Sequence, residues 1–185
     1  MTDGIFEKVT RNLASQEPVP KGLRLAAVSV ILDGREDPRV LLIRRAERAG
    51  DPWSGQIGFP GGKTQSGDGT ARRTAARETM EEVGIDLERS ADFLGYGQPT
   101  TTHTGTMEVV PSVFLMKEHV DVTPNEEVAS YRWAGLRELL SPRSKSSYSL
   151  TYEGRTVQTP AFLFEDYVVW GLTHRILTSV MGGPP

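Results

Sequence analysis

An α/β fold, with a mixed sheet packed between helices, is what this sequence predicts, and three observations carry the prediction. Residues 23–32, 39–45 and 107–116 are mostly apolar runs of strand length, the first two separated by a Gly/Pro turn. Residues 69–83 contain no proline and are rich in Ala, Arg, Glu and Met, all strong helix formers. A glycine-rich segment, residues 55–62, stands just before that helix, and a second helical stretch at 166–180 closes the pattern.

Composition bounds the rest. With 185 residues, 37% hydrophobic and 24% charged, the chain suits one soluble domain, expected over 23–181 after an N-terminal helix and linker over 1–22. A net charge of −3 offers no nucleic-acid-binding surface. The absence of cysteine excludes disulfides and thiol catalysis. No apolar run approaches the ~20 residues of a membrane span. The first residues lack the build of a signal peptide, so a cytoplasmic location is expected. Assembly is left open, a homodimer included.

Taken in order, residues 3–14 read as an amphipathic helix, with Ile5, Phe6, Val9 and Leu13 on one side and Asp3 as its cap. Residues 17–22 form an extended linker. Residues 23–32 and 39–45 flank a turn at 33–38 and predict a hairpin. Arg44, Arg45 and Arg48 then form either a solvated strand end or a positive rim suited to polyphosphate, because guanidinium offers fork-shaped donors. Trp53 either stacks on a nucleobase or simply packs. Gly61 and Gly62 let backbone approach phosphates with no Cβ in the way.

The helix carries the chemistry. At ~100° per residue with Glu78 at zero, Glu82 falls at about +40° and Glu81 at about −60°. These acids share one face, either a solvated helix surface or a site where a hard dication such as Mg²⁺ or Mn²⁺ offsets the repulsion of like charges. Ala76, Met80 and Val83 fall at about 140–200° and are expected to pack on the core. Gly84 is the expected left-handed cap. Further on, strands are expected at 93–98 and 107–116 around a polar loop in which His103 reads as solvated. A strand over 129–136 and a short helix ending at Leu140 follow. A small hairpin at 148–158 and the 166–180 helix, with His174 on its surface, end the reading.

Residues 77–85, RETMEEVGI, resemble the second half of the Nudix box, REUxEExGU, with Thr79 at the usually apolar U position. In the first half Asp68 follows Gly62 after five residues and precedes Arg77 by eight, so Asp replaces Glu and one residue is inserted. That variant, with LLIRRA at 41–46 and GQIGFPGG at 55–62, is similar to the coenzyme A pyrophosphatase branch of the Nudix hydrolases. The branch's RxH spacing before GQ is not kept, and Asp51, Pro52 and Trp53 stand there instead.

The resemblance implies an α/β/α sandwich with a mixed β-sheet and metal-dependent hydrolysis of a diphosphate linkage in a small nucleotide substrate. Coenzyme A or an acyl-CoA is the first expectation; ADP-ribose, dinucleotides or nucleoside triphosphates are the alternative, and a silent nucleotide-binding module a second. Glu78 and Glu82 become the main ligands of Mg²⁺ or Mn²⁺, with Glu81 a third ligand or the base. The backbone carbonyl of Gly62 completes the metal shell, and Glu127 becomes a candidate base on a loop away from the box. Arg44, Arg45, Arg48 and Gly61 become substrate-binding residues, and Arg77 holds a box carboxylate by a bidentate contact. The role of Asp68 stays open.

Overall fold

The computed structural model describes residues 4–19, 21–51, 53–152 and 154–183. Its centre is strand β1 (Arg24–Leu32), paired in parallel along its whole length with β7 (Met107–Met116). Alternation along β1 decides what lies on each face. Ala26, Val30 and Leu32 enter one apolar cluster, and Ala27 and Ile31 enter another on the opposite face. The second cluster is covered by α2 (Ala71–Val83) and α3 (Leu87–Ser90). The first is covered by α1 (Gly4–Arg11), α4 (Leu136–Leu139) and α5 (Gly171–Val180), together with a small second sheet. The α/β fold with a mixed sheet is as expected.

The expected hairpin of β1 with β2 (Arg39–Arg45) is realised only at its tip, where Leu32 faces Val40. The turn is closed by Asp33, whose carboxylate accepts from the Arg39 backbone N–H at 2.8 Å. Beyond the tip the two strands part. β3 (Ile57–Gly58) pairs with β2, β4 (Gly61–Lys63) pairs with β1 at Ala26–Val28, and the Phe59–Pro60 turn between them fills the gap. The other edge of β2 pairs with β8 (Val128–Gly135). β5 (Ala91–Tyr96) lies antiparallel to β7, which also takes β6 (Thr100–Thr101), a two-residue strand inside the stretch expected to be loop. A glycine turn is thereby wedged into a split in the sheet, directly against α2.

Both ends of the chain depart from expectation. The first helix stops at Arg11 because Ala14 exchanges both backbone hydrogen bonds, 2.8 Å each, with Tyr96; its expected cap Asp3 lies outside the described residues. At the other end, the predicted hairpin grows into three antiparallel strands, β9 (Lys145–Tyr152), β10 (Arg155–Phe164) and β11 (Tyr167–Trp170). Residues 167–170 were expected to be helical. Their aromatic and β-branched sequence, YVVW, suits a strand and finds a partner in Ala161–Phe164. Gly171, at φ +61°, makes the switch into α5. His174 is not on the solvent face; it is half-buried against the Phe162 ring at 4.4 Å, and burial lowers its pKa.

Candidate active site

Helix α2 starts at a doubly satisfied N-terminus: the Thr70 side chain accepts from Arg73 N–H at 3.2 Å and the Glu17 carboxylate from Ala71 N–H at 2.6 Å. It ends at Gly84, left-handed at φ 71° as expected. Its orientation differs from the reading of the sequence. Of the three residues expected to pack on the core, Ala76 and Val83 do and Met80 does not, being 54% exposed; Ala71, Thr74, Ala75, Thr79 and Glu82 are buried as well. The buried arc is therefore wider than expected and takes in Glu82, with Glu78 at its edge and Glu81 outside it. Small residues at 71 and 75 let the helix sit close to β1, and the glycine turn beside it leaves room for two carboxylates.

The three box acids consequently differ. Glu82 is 4% exposed, and its Oε2 accepts from the Gly61 N–H at 2.9 Å. Burial pushes its pKa up to about 7; the Gly61 amide and Arg45 oppose this, while Glu78 and Glu127 add to it. Glu78 is half-buried and likewise raised by burial, against the pull of Arg77. A Cβ on Gly62 would lie 2.5 Å from the Glu78 carboxyl, so only glycine allows this approach. Glu81 leans outward, half exposed, to Arg77 Nη1 at 3.2 Å. Glu78 thus stands between the other two: its charge adds to the raised pKa of Glu82, and it shares Arg77 Nη1 with the outward-leaning Glu81.

Arg77 is the hub of that outer side. Its Nε and Nη2 hold the two oxygens of buried Asp68 at 2.9 and 3.0 Å, and its Nη1 meets Glu78 at 2.9 Å. Asp68 also accepts from Gln65 N–H and Thr74 Oγ1 at 2.9 Å each. With Arg77 as the main cause, its carboxyl is held well below the usual range, and the guanidinium is raised in turn by Asp68.

Glu127 arrives from a distant part of the sequence. Asn125 N–H and Thr123 N–H donate to the last carbonyls of α2, Glu82 O and Val83 O, at 2.8 and 2.9 Å. The Asn125 side chain accepts from Glu127 N–H at 2.8 Å, and Glu127 O accepts from Ala46 N–H at 2.8 Å. Its charge acts on both Glu78 and Glu82. Arg48 lies 3.7 Å from it. Arg45 acts on Glu82 from the end of β2; its Nη2 meets Asp51 at 3.2 Å, while its Nε is buried with no hydrogen-bond partner. Asp51 is held low, first by the Trp53 N–H it accepts from. Trp53 itself is 45% exposed.

Arg44 is a correction. Strand alternation places it on the face opposite Arg45, where it pairs with Asp166 at 2.6 Å and lies 4.8 Å from the Tyr167 ring centre. It does not join the rim with Arg45 and Arg48. His103 sits exposed in the turn before β7.

Among the described residues, no three His, Cys, Asp or Glu side chains converge into a ready-made cation cage. Two carboxylates beside a glycine backbone nonetheless fit a hard dication, because Mg²⁺ keeps several waters and takes one or two carboxylates plus substrate oxygens. The raised pKa of buried Glu82 marks a negative charge that lacks a sufficient partner. Neither Glu78 nor Glu82 lines two concavities of the structure, one of about 200 Å³ near Asp33 and Trp133 and one of about 460 Å³ on the outer flank of α2, lined by Asp68, Arg77 and Met80. No helix among the described residues is long and apolar enough to cross a membrane.

Comparison with known proteins gives the family and the fold. The profile of the NUDIX domain matches residues 22–153. A Nudix hydrolase NudL of uncharacterised activity from Yersinia pestis (strain Pestoides F) is 34% identical over 155 residues, 83% of this chain and 76% of that protein. Among solved structures, a MutT/nudix family protein from Enterococcus faecalis superposes with a TM-score of 0.56 at 19% identity, covering 89% of this chain and 63% of that one. The NUDIX domain of Shewanella oneidensis NrtR, solved with ADP ribose, gives 0.51 at 21% identity over 65% of this chain and 78% of its own. These two likenesses speak to the fold.

Proposed function

The chain belongs to the NUDIX family and is one of its hydrolases, and from that premise we propose that it cleaves the diphosphate linkage of coenzyme A or an acyl-CoA, using Glu78 and Glu82 to hold Mg²⁺ or Mn²⁺. One observation carries the site assignment: buried Glu82 and half-buried Glu78, one helical turn apart, face the Gly61–Gly62 backbone. The similarity of residues 41–46 and 55–62 to the coenzyme A pyrophosphatase branch supports the substrate.

A bound dication neutralises the phosphoanhydride and lowers the pKa of water. The chain's own residues do the rest. Gly61 N–H fixes the Glu82 carboxylate; Gly62, bare of Cβ, gives the Glu78 carboxylate room beside the turn, and its carbonyl, opposite Ala27 in the β1–β4 ladder, would be the further ligand. Arg77, neutralised by Asp68, restrains Glu78 from the outer side and is a structural support. Glu127, on the loop strapped to the end of α2, takes the proton from the attacking water; Glu81, engaged with Arg77, is the weaker candidate for base or third ligand. Arg45, with a buried unpaired N–H, and Arg48 receive substrate phosphate.

A second reading, hydrolysis of ADP-ribose, a dinucleotide or a nucleoside triphosphate, is favoured by the altered stretch before GQ, where Asp51 stands and pairs with Arg45. Product analysis with coenzyme A, ADP-ribose, NADH and a dinucleoside polyphosphate separates the readings. Phosphopantetheine and an adenosine bisphosphate from coenzyme A, at the highest kcat/KM, are expected; preference for another substrate selects the second reading.

A further inference from the structure

Beneath the catalytic helix lies a hydrogen-bonded ring that the reaction does not directly use. Thr79, where the resembling box carries an apolar residue, is fully buried, as is Ser29 on the α2-facing side of β1. Thr79 Oγ1 lies 2.7 Å from Ser29 Oγ and 2.8 Å from the Ala75 carbonyl oxygen; Ser29 Oγ lies 3.0 Å from that same oxygen. Two hydroxyl protons serve these contacts, so one hydroxyl donates to the other, which donates to Ala75 O.

The ring closes through the backbone. Ser29 N–H donates to Pro60 O at 2.8 Å, and the next residue, Gly61, donates its N–H to Glu82 Oε2 at 2.9 Å. Thr79 and Glu82 are three residues apart on α2, one turn of the same helix. Helix, strand and glycine turn are therefore tied in a circuit whose last bond ends on a carboxylate of the site. Apolar packing is non-directional; a short hydroxyl bond fixes the height and rotation of the helix, and functional constellations need to be held to within about 0.5 Å.

We propose that Thr79 and Ser29 are positioning residues: their hydroxyl pair sets α2 on β1 so that Glu78 and Glu82 meet the glycine turn at ligand-holding distance. The inference rests on the reading of those carboxylates as cation ligands. It predicts a cost in cation affinity of the size seen when groups supporting a ligand are lost, about 10-fold.

The test is Mn²⁺ titration of the full chain by calorimetry, without substrate, alongside kcat and KM. T79V keeps the volume and removes the hydroxyl; S29A removes the other half. Both are expected to weaken Mn²⁺ binding about 10-fold and lower kcat with KM nearly unchanged, while T79S retains wild-type binding. Ser112 is the control. It stands beside Ser29 in the parallel register with a buried Oγ that has no partner, so S112A should bind Mn²⁺ as the wild type does. Normal Mn²⁺ binding by T79V and S29A overturns the inference. So does a loss in S112A equal to theirs, or failure of T79S to retain affinity. Should T79V not fold, S29A and T79S decide. Wild-type protein that takes up no Mn²⁺ overturns the cation reading itself, and the inference with it.

Discussion

Replacing Glu82 by Gln is expected to slow the enzyme and, without metal, to stabilise it above neutral pH. The Glu82 carboxyl is 4% exposed, and burial displaces its pKa from 4.5 to about 7. Ionising it inside the fold therefore costs roughly 3 kcal/mol more than ionising it in the unfolded chain. The sign follows from the raised value. This group's contribution to stability is full below pH 4.5 and is lost as pH rises through about 7. Glutamine has the same shape, still accepts from Gly61 N–H through its carbonyl, and does not titrate. In a chain of this size about 3 kcal/mol corresponds to roughly 6–12 °C in Tm. Metal-free E82Q should melt higher than wild type by up to that amount at pH 8, with the gap shrinking towards pH 4.5.

With Mg²⁺ the order reverses. Wild type gains stability from the ion, E82Q gains much less, and kcat of the variant falls on the order of 10²-fold or more because charge is lost where the phosphoanhydride must be neutralised. The assay is thermal unfolding at pH 5 and pH 8, with EDTA and with Mg²⁺, beside initial rates on the preferred substrate. E82Q no more stable than wild type at pH 8 in EDTA, or E82Q with an unchanged kcat, would refute the reasoning.

Further outcomes are expected. Excess chelator should abolish turnover, and Mn²⁺ affinity should tighten as pH rises through about 7, since the proton on Glu82 must leave for the ion to bind; calorimetry across pH 6–8 checks this. E127Q should lower kcat by less than E82Q does, and an equal or larger loss would make Glu127 the principal group. D68N should cost roughly 3 kcal/mol near neutral pH, read by urea unfolding, because it leaves Arg77 without its main partner. The lowered pKa of Asp68 gives stability present above its ordinary 3.8 and lost as pH falls through the folded value, so the gap between D68N and wild type should close in strong acid. D51N should lower KM severalfold by releasing Arg45 to the substrate, and an unchanged or higher KM would make Asp51 a support for Arg45 instead of its competitor.

Much of the fold was legible because its signals are local. The apolar runs at β1, β2 and β7 and the Ala/Glu-rich stretch ending at Gly84 state their own conformation. What the sequence hid depends on partners far along the chain. The helical wheel placed Ala76 and Val83 in the core, as found, but not Glu82, whose burial depends on the amide that Gly61 supplies from the β3–β4 turn. Residues 167–170 fit a helical period as well as a strand, and only pairing with Ala161–Phe164 decides between them. Arg44 and Arg45 looked like one cluster, yet period-two alternation, already readable at 40–45, separates them. Asp68 gave no clear spacing signal, since the inserted residue shifts it, but its role becomes plain once Arg77 is seen gripping both its oxygens. The link of Glu127 to α2 runs through backbone bonds at Thr123 and Asn125, which no side-chain pattern announces.

The positions where local rules fail coincide with the site. A carboxylate lies within a buried helix face, a threonine replaces an apolar packing residue, and a guanidinium N–H is buried without a partner. Each is unfavourable taken alone, and such conflicts concentrate where function requires them. Their arrangement shows what offsets them. The Asp68–Arg77 pair anchors the outer flank of α2, and the Thr79–Ser29 pair anchors the inner one. The helix is thereby fixed from both sides, and the unfavourable charge is confined to Glu78 and Glu82, which face the turn. Low polarity around Glu82 makes its negative charge costly in isolation, and for the same reason strengthens its attraction to any cation it holds. On the proposed cation reading, the burial that weakens the metal-free fold at high pH is also what would strengthen the hold on a cation, and stability and affinity should move in opposite directions in every variant that changes the polarity around that carboxylate.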